Sequence, residues 1–323
     1  MELVAPGSEP LDVTRFDIEE AADRLRGRIR HTPVLDPGIG SFGIPGRPVL
    51  KLELLQHTGS FKPRGAFNRM LTAEIDDSGV LAASGGNFGL GVAYAARELG
   101  HRAEIFVPQT SPSVKIDRIR SYGAEVHVVP GYYGDAYAAC EERAFQTGAA
   151  FLHPYDQPTV VAGQGTIALE LAEQVPDVDT VVVAVGGGGL IGGIAAWFAT
   201  DVRVIGVEPE LCPTLTAALE AGVPVDVDVS GVAADSLGAM RAGLIALQIA
   251  KAYVDQVVLV PDEAIVRARQ TLWDEVRLAT EPGAAAALAG LLHGAYVPAR
   301  DERVAVVICG ANADPADLSV ARV

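Results

Sequence analysis

Short segments that are apolar throughout alternate with longer segments of helical periodicity along most of this chain of 323 residues. Such strands are buried on both faces, and strands of this kind separated by helices are typical of parallel sheets covered by helices on both sides. The alternation therefore predicts an α/β fold with doubly wound sheets. Strands are predicted at residues 49–54, 80–83, 103–107, 125–129, 180–185, 203–207, 256–260 and 304–308, and helices at residues 88–99, 113–121, 135–146, 159–173, 190–200, 262–278 and 283–293.

These segments form two series, one from about residue 50 to 150 and one from about residue 160 to the end. We expect two lobes with a cleft between them. Open α/β sheets bind ligands outside the carboxyl ends of their strands, so motifs that directly follow a predicted strand are the candidates for a site.

The charge balance argues against nucleic-acid partners. The chain has 25 Lys and Arg residues against 41 Asp and Glu residues, and its net charge of −16 repels a phosphate backbone. The densest basic stretch, residues 24–30, follows three acidic residues and is typical of a solvated helix face.

Cysteine and histidine usage predicts neither disulfides nor a metal site. Cys140, Cys212 and Cys309 are widely spaced without a CxxC pair, which suits a reducing cytoplasm. The six histidines lie far apart without an HExxH motif, so we predict no catalytic metal. The first 16 residues contain acidic residues and no basic start, so a signal peptide is not expected.

One stretch of 19 uncharged residues, 181–199, is long enough to cross a bilayer. Four glycines at 186–189 interrupt it, between a β-branched run and a helix-period run. The stretch therefore predicts a strand, a glycine turn and a helix, and we expect no membrane partner.

The glycine run Gly186-Gly187-Gly188-Gly189-Leu190 predicts a phosphate site, because backbone N–H groups at the start of a helix bind anions. Read from Gly187, the run also fits GxGxxG, and Glu208 ends the next predicted strand, where a dinucleotide fold places a ribose-binding acid. These residues alone do not separate a nicotinamide enzyme from one with another phosphate-bearing cofactor.

A lysine in the sequence SFKPRGA (60–66) is the candidate for covalent chemistry. Only four lysines occur against 21 arginines, and Lys62 lies in an apolar, glycine-flanked turn before a predicted helix. An amine, unlike a guanidinium, lowers its pKa on desolvation, forms a Schiff base with a carbonyl and then acts as a general base.

Two further motifs follow predicted strands. Ser84, Gly85, Gly86 and Asn87 open a predicted helix, whose free N–H groups suit a substrate carboxylate. Cys309 follows the last predicted strand and places a weak donor or acceptor at the same edge.

Together the motifs SFKPRGA (60–66), SGGN (84–87), GGGG (186–189), EPGAA (281–285) and CGAN (309–312) occur in an order that resembles the fold-type II pyridoxal-phosphate (PLP) enzymes, and serine/threonine dehydratases most of all. The resemblance extends from about residue 17 to 315. It implies two open, mostly parallel twisted sheets with helices on both faces, as in the tryptophan synthase β-subunit. The implied domains are a large, cofactor-binding domain of residues 1–50 and 151–323 and a small domain of residues 51–150.

The resemblance also implies roles for residues. Lys62 holds the cofactor aldehyde as a Schiff base and removes the substrate α-proton, the glycine run binds the phosphate, and Cys309 faces the pyridine nitrogen. The complete implied set is Lys62 and Ser84 for catalysis; Phe61, Lys62, Asn87, Gly186, Gly187, Gly188, Gly189, Leu190 and Cys309 for the cofactor; and Ser84, Gly85, Asn87 and Phe88 for the substrate.

The implied reaction converts a β-hydroxy L-amino acid to a 2-keto acid and ammonia. Within the same fold, a β-replacement enzyme or a specialised pathway lyase uses the same motifs. A nicotinamide oxidoreductase leaves SFKPRGA (60–66) unexplained, and a catalytically silent binding protein leaves Lys62 unexplained. The family implies a homodimer with a small amino acid as its only other partner.

The chain departs from the family pattern at several positions. Relatives carry Ser or Ala at Gly85, His at Phe88 and Gln at Leu90, and serine racemases use a Ser at the position of Gly85, so racemisation is disfavoured. Phe88 and Leu90 are expected to make the pocket more apolar, which favours a β-substituent larger than that of serine. The acid that completes a divalent-cation site after Glu208 in racemase-like members is absent. Ser236 replaces a glycine of many dehydratases, and the sequence offers no physical reason for that change.

Overall fold

The computed structural model describes residues 12–111, 113–314, 316 and 317, so most of the N-terminal segment considered above lies outside the described residues. The strands are β1 (Val34–Leu35), β2 (Arg47–Lys51), β3 (Val80–Ala83), β4 (Ala103–Pro108), β5 (Glu125–Val129), β6 (Ala150–Phe151), β7 (Thr180–Ala184), β8 (Arg203–Pro209), β9 (Gln256–Val260) and β10 (Arg303–Val307). Eight of these ten described strands fall close to the predicted ones, and the two-residue strands β1 and β6 were not predicted.

These strands build two sheets, as expected for the predicted class. The larger sheet has the order β1-β2-β10-β7-β8-β9, and the smaller has the order β5-β4-β3-β6. Neighbouring strands are parallel except β1, which pairs antiparallel with β2. Each sheet has its own apolar core. The α/β class with two mostly parallel sheets is therefore confirmed, whereas the exact domain limits stay a prediction.

Helices connect the strands, and the predicted ones occur with small shifts at their ends. The helices are α1 (Arg15–Leu25), α2 (Lys62–Leu71), α3 (Asn87–Leu99), α4 (Ser113–Ser121), α5 (Tyr133–Thr147), α6 (Pro158–Gln174), α7 (Gly189–Phe198), α8 (Thr214–Ala221), α9 (Ala234–Leu237), α10 (Leu244–Tyr253), α11 (Asp262–Val276) and α12 (Pro282–Leu292).

The uncharged stretch 181–199 is strand β7, a glycine turn and helix α7, as predicted. Among the helices that the structure describes, none combines the length and the apolar character needed to cross a membrane. Residues 49–54, predicted as one strand, form a strand only up to Lys51, after which a 3₁₀ turn spans Glu53–Leu55. The strand ends early because Glu53 turns into the protein, where it is fully buried against Arg64.

A buried charge cluster joins β2, α2 and α6. Arg64 has no exposed surface and donates to both oxygens of Glu53 at 2.7 and 2.8 Å and to both oxygens of Glu170 at 2.8 and 2.9 Å. Lys51 donates to Glu170 at 2.7 Å. Burial alone would raise the pKa of Glu170, but Arg64 and Lys51 lower it below the ordinary value. Two cations and two carboxylates thus balance, and the cluster anchors the helix that begins at Lys62.

Replacing Arg64 with methionine leaves two buried carboxylates with only Lys51 to pair them. We expect the Arg64→Met protein to lose about 3–5 kcal/mol in the free energy of unfolding, because a buried ion pair is costly to break from one side. Urea denaturation measures the loss. The exposed pair of Arg26 and Asp23 supplies the control, since Arg26→Ala should change stability by less than about 1 kcal/mol. Equal stability of both variants would contradict a structural role of the cluster.

Candidate active site

A single cleft collects the motifs that follow the strands. Its open space is about 470 Å³, and it lies at the carboxyl ends of β7 and β10. The nine residues predicted to bind the cofactor all line it. Sequence reasoning missed six further lining residues, which are Tyr155, Ala184, Ile191, Ser236, Leu237 and Glu281.

Backbone contacts bring the lysine motif and the cysteine motif together. Ser60 and Gly310 form an isolated antiparallel bridge, and the Phe61 N–H donates to the Cys309 carbonyl at 3.2 Å. The start of α2 is thereby attached to the end of β10. Motifs separated by about 250 residues in sequence meet because β2 and β10 are parallel neighbours.

Lys62 is the first residue of α2, and its amine lies among apolar groups. Its Nζ atom is 4.8 Å from the ring centre of Phe61, 5.7 Å from that of Phe88 and 3.4 Å from the Pro154 carbonyl oxygen. Burial lowers the pKa of Lys62 to about 8, against a smaller opposing effect of Cys309 and Glu281. About a tenth of the amine is thus neutral at pH 7, far more than for an ordinary lysine, and the neutral form is the one that attacks carbonyls and accepts protons.

The glycine run forms an anion cradle between β7 and α7. Gly188 has φ +92°, in the left-handed region that favours glycine, and caps a helix with no side-chain bond to its first N–H groups. A Cβ atom on Gly187 would lie 2.4 Å from a ring carbon of Tyr155, and one on Gly188 would lie 2.4 Å from Cβ of Ala246. Only glycine fits against these neighbours at positions 187 and 188, and the N–H groups at the start of a helix suit a phosphate.

Asn87 opens α3 and belongs to a hydrogen-bond network. Its Nδ2 donates to both carboxylate oxygens of Glu281 at 2.8 and 3.0 Å, and its Oδ1 accepts from Asn312 at 2.8 Å. Glu281 is 5% exposed, and burial raises the pKa of its carboxyl above the ordinary value. The sequence did contain a signal for Glu281, which opens the motif EPGAA (281–285), but no role was predicted for it.

Cys309 is buried beside Lys62 and Glu281. Burial raises the pKa of its thiol well above the ordinary value, and the negative charge of Glu281 adds to that effect. The thiol is therefore neutral and offers a weak hydrogen bond rather than a charge.

The predicted substrate loop lies beside the cleft, and only Asn87 of its residues lines it. Ser84 is buried, and its hydroxyl accepts the Gly86 N–H at 3.2 Å. A Cβ atom on Gly85 would lie only 2.0 Å from the hydroxyl oxygen of Ser111, so that serine occupies the space of a side chain at position 85. Contact of Ser84, Gly85 and Phe88 with a substrate stays a prediction.

Glu208 does not support the nicotinamide alternative. It has no exposed surface, and its carboxylate accepts from the N–H groups of Leu215 and Thr216 at 2.6 and 2.9 Å and from the Thr216 hydroxyl at 2.7 Å. Both oxygens are thus engaged in capping α8. A carboxylate used in this way is not available to a ribose.

Ser236 lines the cleft at the position for which the sequence offered no explanation. A Cβ atom on Gly283 would lie 2.2 Å from its hydroxyl oxygen, so Ser236 fills the space that Gly283 leaves open. The serine at position 236, where many dehydratases have glycine, is therefore accommodated because Gly283 on the neighbouring helix α12 has no side chain.

Away from the cleft, Glu104, Glu125 and His127 form a group of possible metal ligands among the described residues. One carboxylate oxygen or ring nitrogen of each lies within 4.8 Å of the others. Arg143 donates to both oxygens of Glu104 at 3.0 Å, and His127 lies 2.9 Å from the same carboxylate. Protein donors thus already occupy the buried carboxylate of this group.

The lowered pKa of Lys62 predicts its reactivity. In cofactor-free protein, acetylation of Lys62 should reach half of its maximal rate near pH 8, because only the unprotonated amine reacts. Peptide mass spectrometry over a pH series measures it. In urea-unfolded protein the midpoint should return towards the ordinary value of 10.5. The same high midpoint in folded and unfolded protein would contradict desolvation of the amine.

A partly desolvated amine, an anion cradle, an amide donor and a neutral thiol around one cleft fit a cofactor that carries an aldehyde, a phosphate and an aromatic nitrogen. The comparison with known proteins agrees, since residues 25–310 match the family of pyridoxal-phosphate dependent enzymes. This match contradicts the nicotinamide alternative.

Individual relatives cover nearly the whole chain. The L-threonine ammonia-lyase of Thermotoga maritima is 38% identical over 94% of this chain and 76% of its own length. The phenylserine dehydratase of Ralstonia pickettii is 37% identical over 95% of this chain and 96% of its own. The solved structure of the T.th. threonine deaminase superposes with a TM-score of 0.86 at 35% identity, over 93% of this chain and 99% of that one.

These findings confirm the predicted resemblance to serine/threonine dehydratases, the fold, and pyridoxal phosphate as the cofactor. They also support the predicted lyase activity on hydroxy amino acids. The chain belongs to the pyridoxal-phosphate dependent enzymes.

Proposed function

We propose that this protein is an ammonia-lyase that converts β-hydroxy L-amino acids with a β-substituent larger than that of serine to 2-keto acids and ammonia. One observation carries the proposal: the amine of Lys62, with a pKa lowered to about 8, lies in the same cleft as the glycine cradle and the neutral thiol of Cys309. The names of the relatives, threonine ammonia-lyase and phenylserine dehydratase, support it.

The residues around the cleft divide the work of holding the cofactor. The N–H groups of residues 186–190 would hold the phosphate, Asn87 would donate to the ring hydroxyl, and Phe61 would pack beside the ring. When bound, pyridoxal phosphate supplies an aldehyde for the substrate amine and a ring that withdraws electrons from Cα. The neutral thiol of Cys309 would not hold the pyridine nitrogen in its protonated form. The ring would therefore withdraw electrons only moderately, which suits β-elimination.

Lys62 is the base. Its neutral amine takes the α-proton, and loss of the β-hydroxyl as water requires one proton at that oxygen. Water then replaces the amino group, so the balance is one amino acid converted to one 2-keto acid and one ammonia, without another reactant. The start of α3, with Ser84 beside it, would hold the substrate carboxylate.

The larger β-substituent is supported by Phe88. Its ring, 2% exposed, faces the Lys62 amine at 5.7 Å and presents an apolar surface where relatives carry histidine. Leu90 is 1% exposed in the same apolar core of the smaller sheet, and neither Phe88 nor Leu90 lines the cleft, so the apolar character that both give the pocket stays a prediction. Successive residues on a helix point about 100° apart, so Leu90 turns away from the amine that Phe88 faces.

Assembly and location form part of the proposal. The family resemblance supports a homodimer, and the three cysteines, all buried and unpaired, support a reducing cytoplasm. β-Replacement remains the second candidate, because the same residues would serve it. An added thiol that is incorporated into the product instead of ammonia release would favour replacement.

We expect phenylserine to be converted with a higher kcat/KM than serine or threonine, with keto acid and ammonia measured together. Lys62→Ala should lower kcat by at least about 100-fold, because it removes the general base. Phe88→His should shift the preference back towards serine and threonine. Wild-type turnover of serine that equals or exceeds that of phenylserine would contradict the proposed substrate class, to which threonine itself belongs.

The glycine cradle gives a separate test. A methyl group on Gly187 meets the Tyr155 ring at 2.4 Å, so Gly187→Ala should weaken binding of pyridoxal phosphate by about tenfold or more. Equilibrium dialysis measures the affinity. Gly134→Ala on α5, where an added Cβ meets nothing within 4 Å, is the matched control and should leave it unchanged. Equal affinities would show that the phosphate binds elsewhere.

A further inference from the structure

A chain of hydrogen bonds leads from the surface of the smaller lobe to Asn87. Arg118, exposed on α4, donates to Oδ1 of Asn312 and to the Thr58 carbonyl, the latter at 3.2 Å. Asn312 Nδ2 donates to the same carbonyl at 2.9 Å and to Oδ1 of Asn87 at 2.8 Å. Asn87 then donates to Glu281 at the wall of the cleft. None of these links beyond Asn87 was part of the predicted site.

The chemistry of the two ends sets the direction of every bond in this chain. A guanidinium only donates and a backbone carbonyl only accepts, so the amide of Asn312 has its oxygen towards Arg118 and its nitrogen towards Asn87. The oxygen of Asn87 is consequently occupied by a donor. Its Nδ2 is the group left to face Glu281 and the cleft.

Glu281, at the other end of the hydrogen-bond chain, would not by itself fix the orientation of the Asn87 amide. Burial raises the pKa of Glu281, so over part of the pH range this group is protonated and is itself able to donate. The guanidinium of Arg118 carries donors only. The orientation of the Asn87 amide thus depends on Asn312. The orientation of the Asn312 amide depends in turn on Arg118 and the Thr58 carbonyl.

The chain also crosses between the two sheets. Arg118 lies on α4, which follows β4 of the smaller sheet, whereas Asn312 follows β10 of the larger sheet. A Cβ atom on Gly59 would lie 2.7 Å from Oδ1 of Asn312, so the amide sits closely against the turn before Lys62. Its position leaves little room for an alternative arrangement.

We propose that Asn312, held by Arg118, is a positioning residue that turns the amide of Asn87 so that an N–H group, and not its oxygen, meets the ring hydroxyl of the cofactor. The inference rests on the proposed role of Asn87 in the cofactor site. A donor at this oxygen favours its negatively charged form. Without this N–H donor, the visible absorption band of the bound cofactor should titrate at a higher pH.

The sharpest variant is Asn312→Asp, which keeps the shape and the contact with Arg118 but cannot donate to Asn87. We expect the pH midpoint of the visible band of the holoenzyme to rise by about half a pH unit or more, since one unit corresponds to a tenfold change in proton affinity. Arg118→Ala should raise it less, because Arg118 is exposed, and Arg118→Lys should recover part of the change. Arg120→Ala, which removes an exposed arginine of the same helix that pairs only with Asp117, is the control and should have no effect.

A second measurement does not need the cofactor. In cofactor-free protein labelled with nitrogen-15, the side-chain amide signals of Asn87, identified by their loss in Asn87→Ala, should move in Asn312→Asp and Arg118→Ala and stay in place in Arg120→Ala. Unchanged amide signals and an unchanged midpoint would overturn the inference. A protein that gains no visible band with pyridoxal phosphate would instead overturn the proposed function, while the amide signals would still decide the role of Asn312.

Discussion

Desolvation of one amine is the constraint on which the function of this fold depends. Lys62 has its lowered pKa only because α2 begins among the rings of Phe61 and Phe88, and that helix is held there by Arg64. The buried ion pairs of Arg64 connect α2 to a strand of the larger sheet and to α6. A charged cluster that is costly to form in isolation thus places an amine of lowered pKa in the cleft.

Charge is kept low around that amine. The thiol of Cys309 is neutral, and the effect of Glu281, which raises the pKa of Lys62, is smaller than the effect of burial, which lowers it. The proposed phosphate site would rely on backbone N–H groups, and among the described residues that line the cleft Lys62 is the only lysine or arginine. Backbone dipoles bind an anion without adding a cation beside the base.

The larger part of the fold and the main site residues were predictable from local patterns. The alternation of apolar and helical segments located eight of the ten described strands and missed the two-residue strands β1 and β6, and the nine residues predicted for the cofactor lie around one cleft. The failures have a common cause. Glu281 and Ser236 reach the cleft through packing, which does not show in residue type. The hydroxyl of Ser111 fills the space beside Gly85 from another loop.

The sequence by itself determined the class of fold and predicted the glycine turn and the lysine that line the cleft, because strand burial, glycine conformation and amine chemistry are properties of short segments. Only the tertiary structure decided which way the amide of Asn87 faces. That orientation depends on Asn312 and Arg118, which lie far from Asn87 in sequence or on another helix and meet it where the ends of two sheets come together. Hydrogen-bond direction is a property of the assembled network, and no single segment contains it.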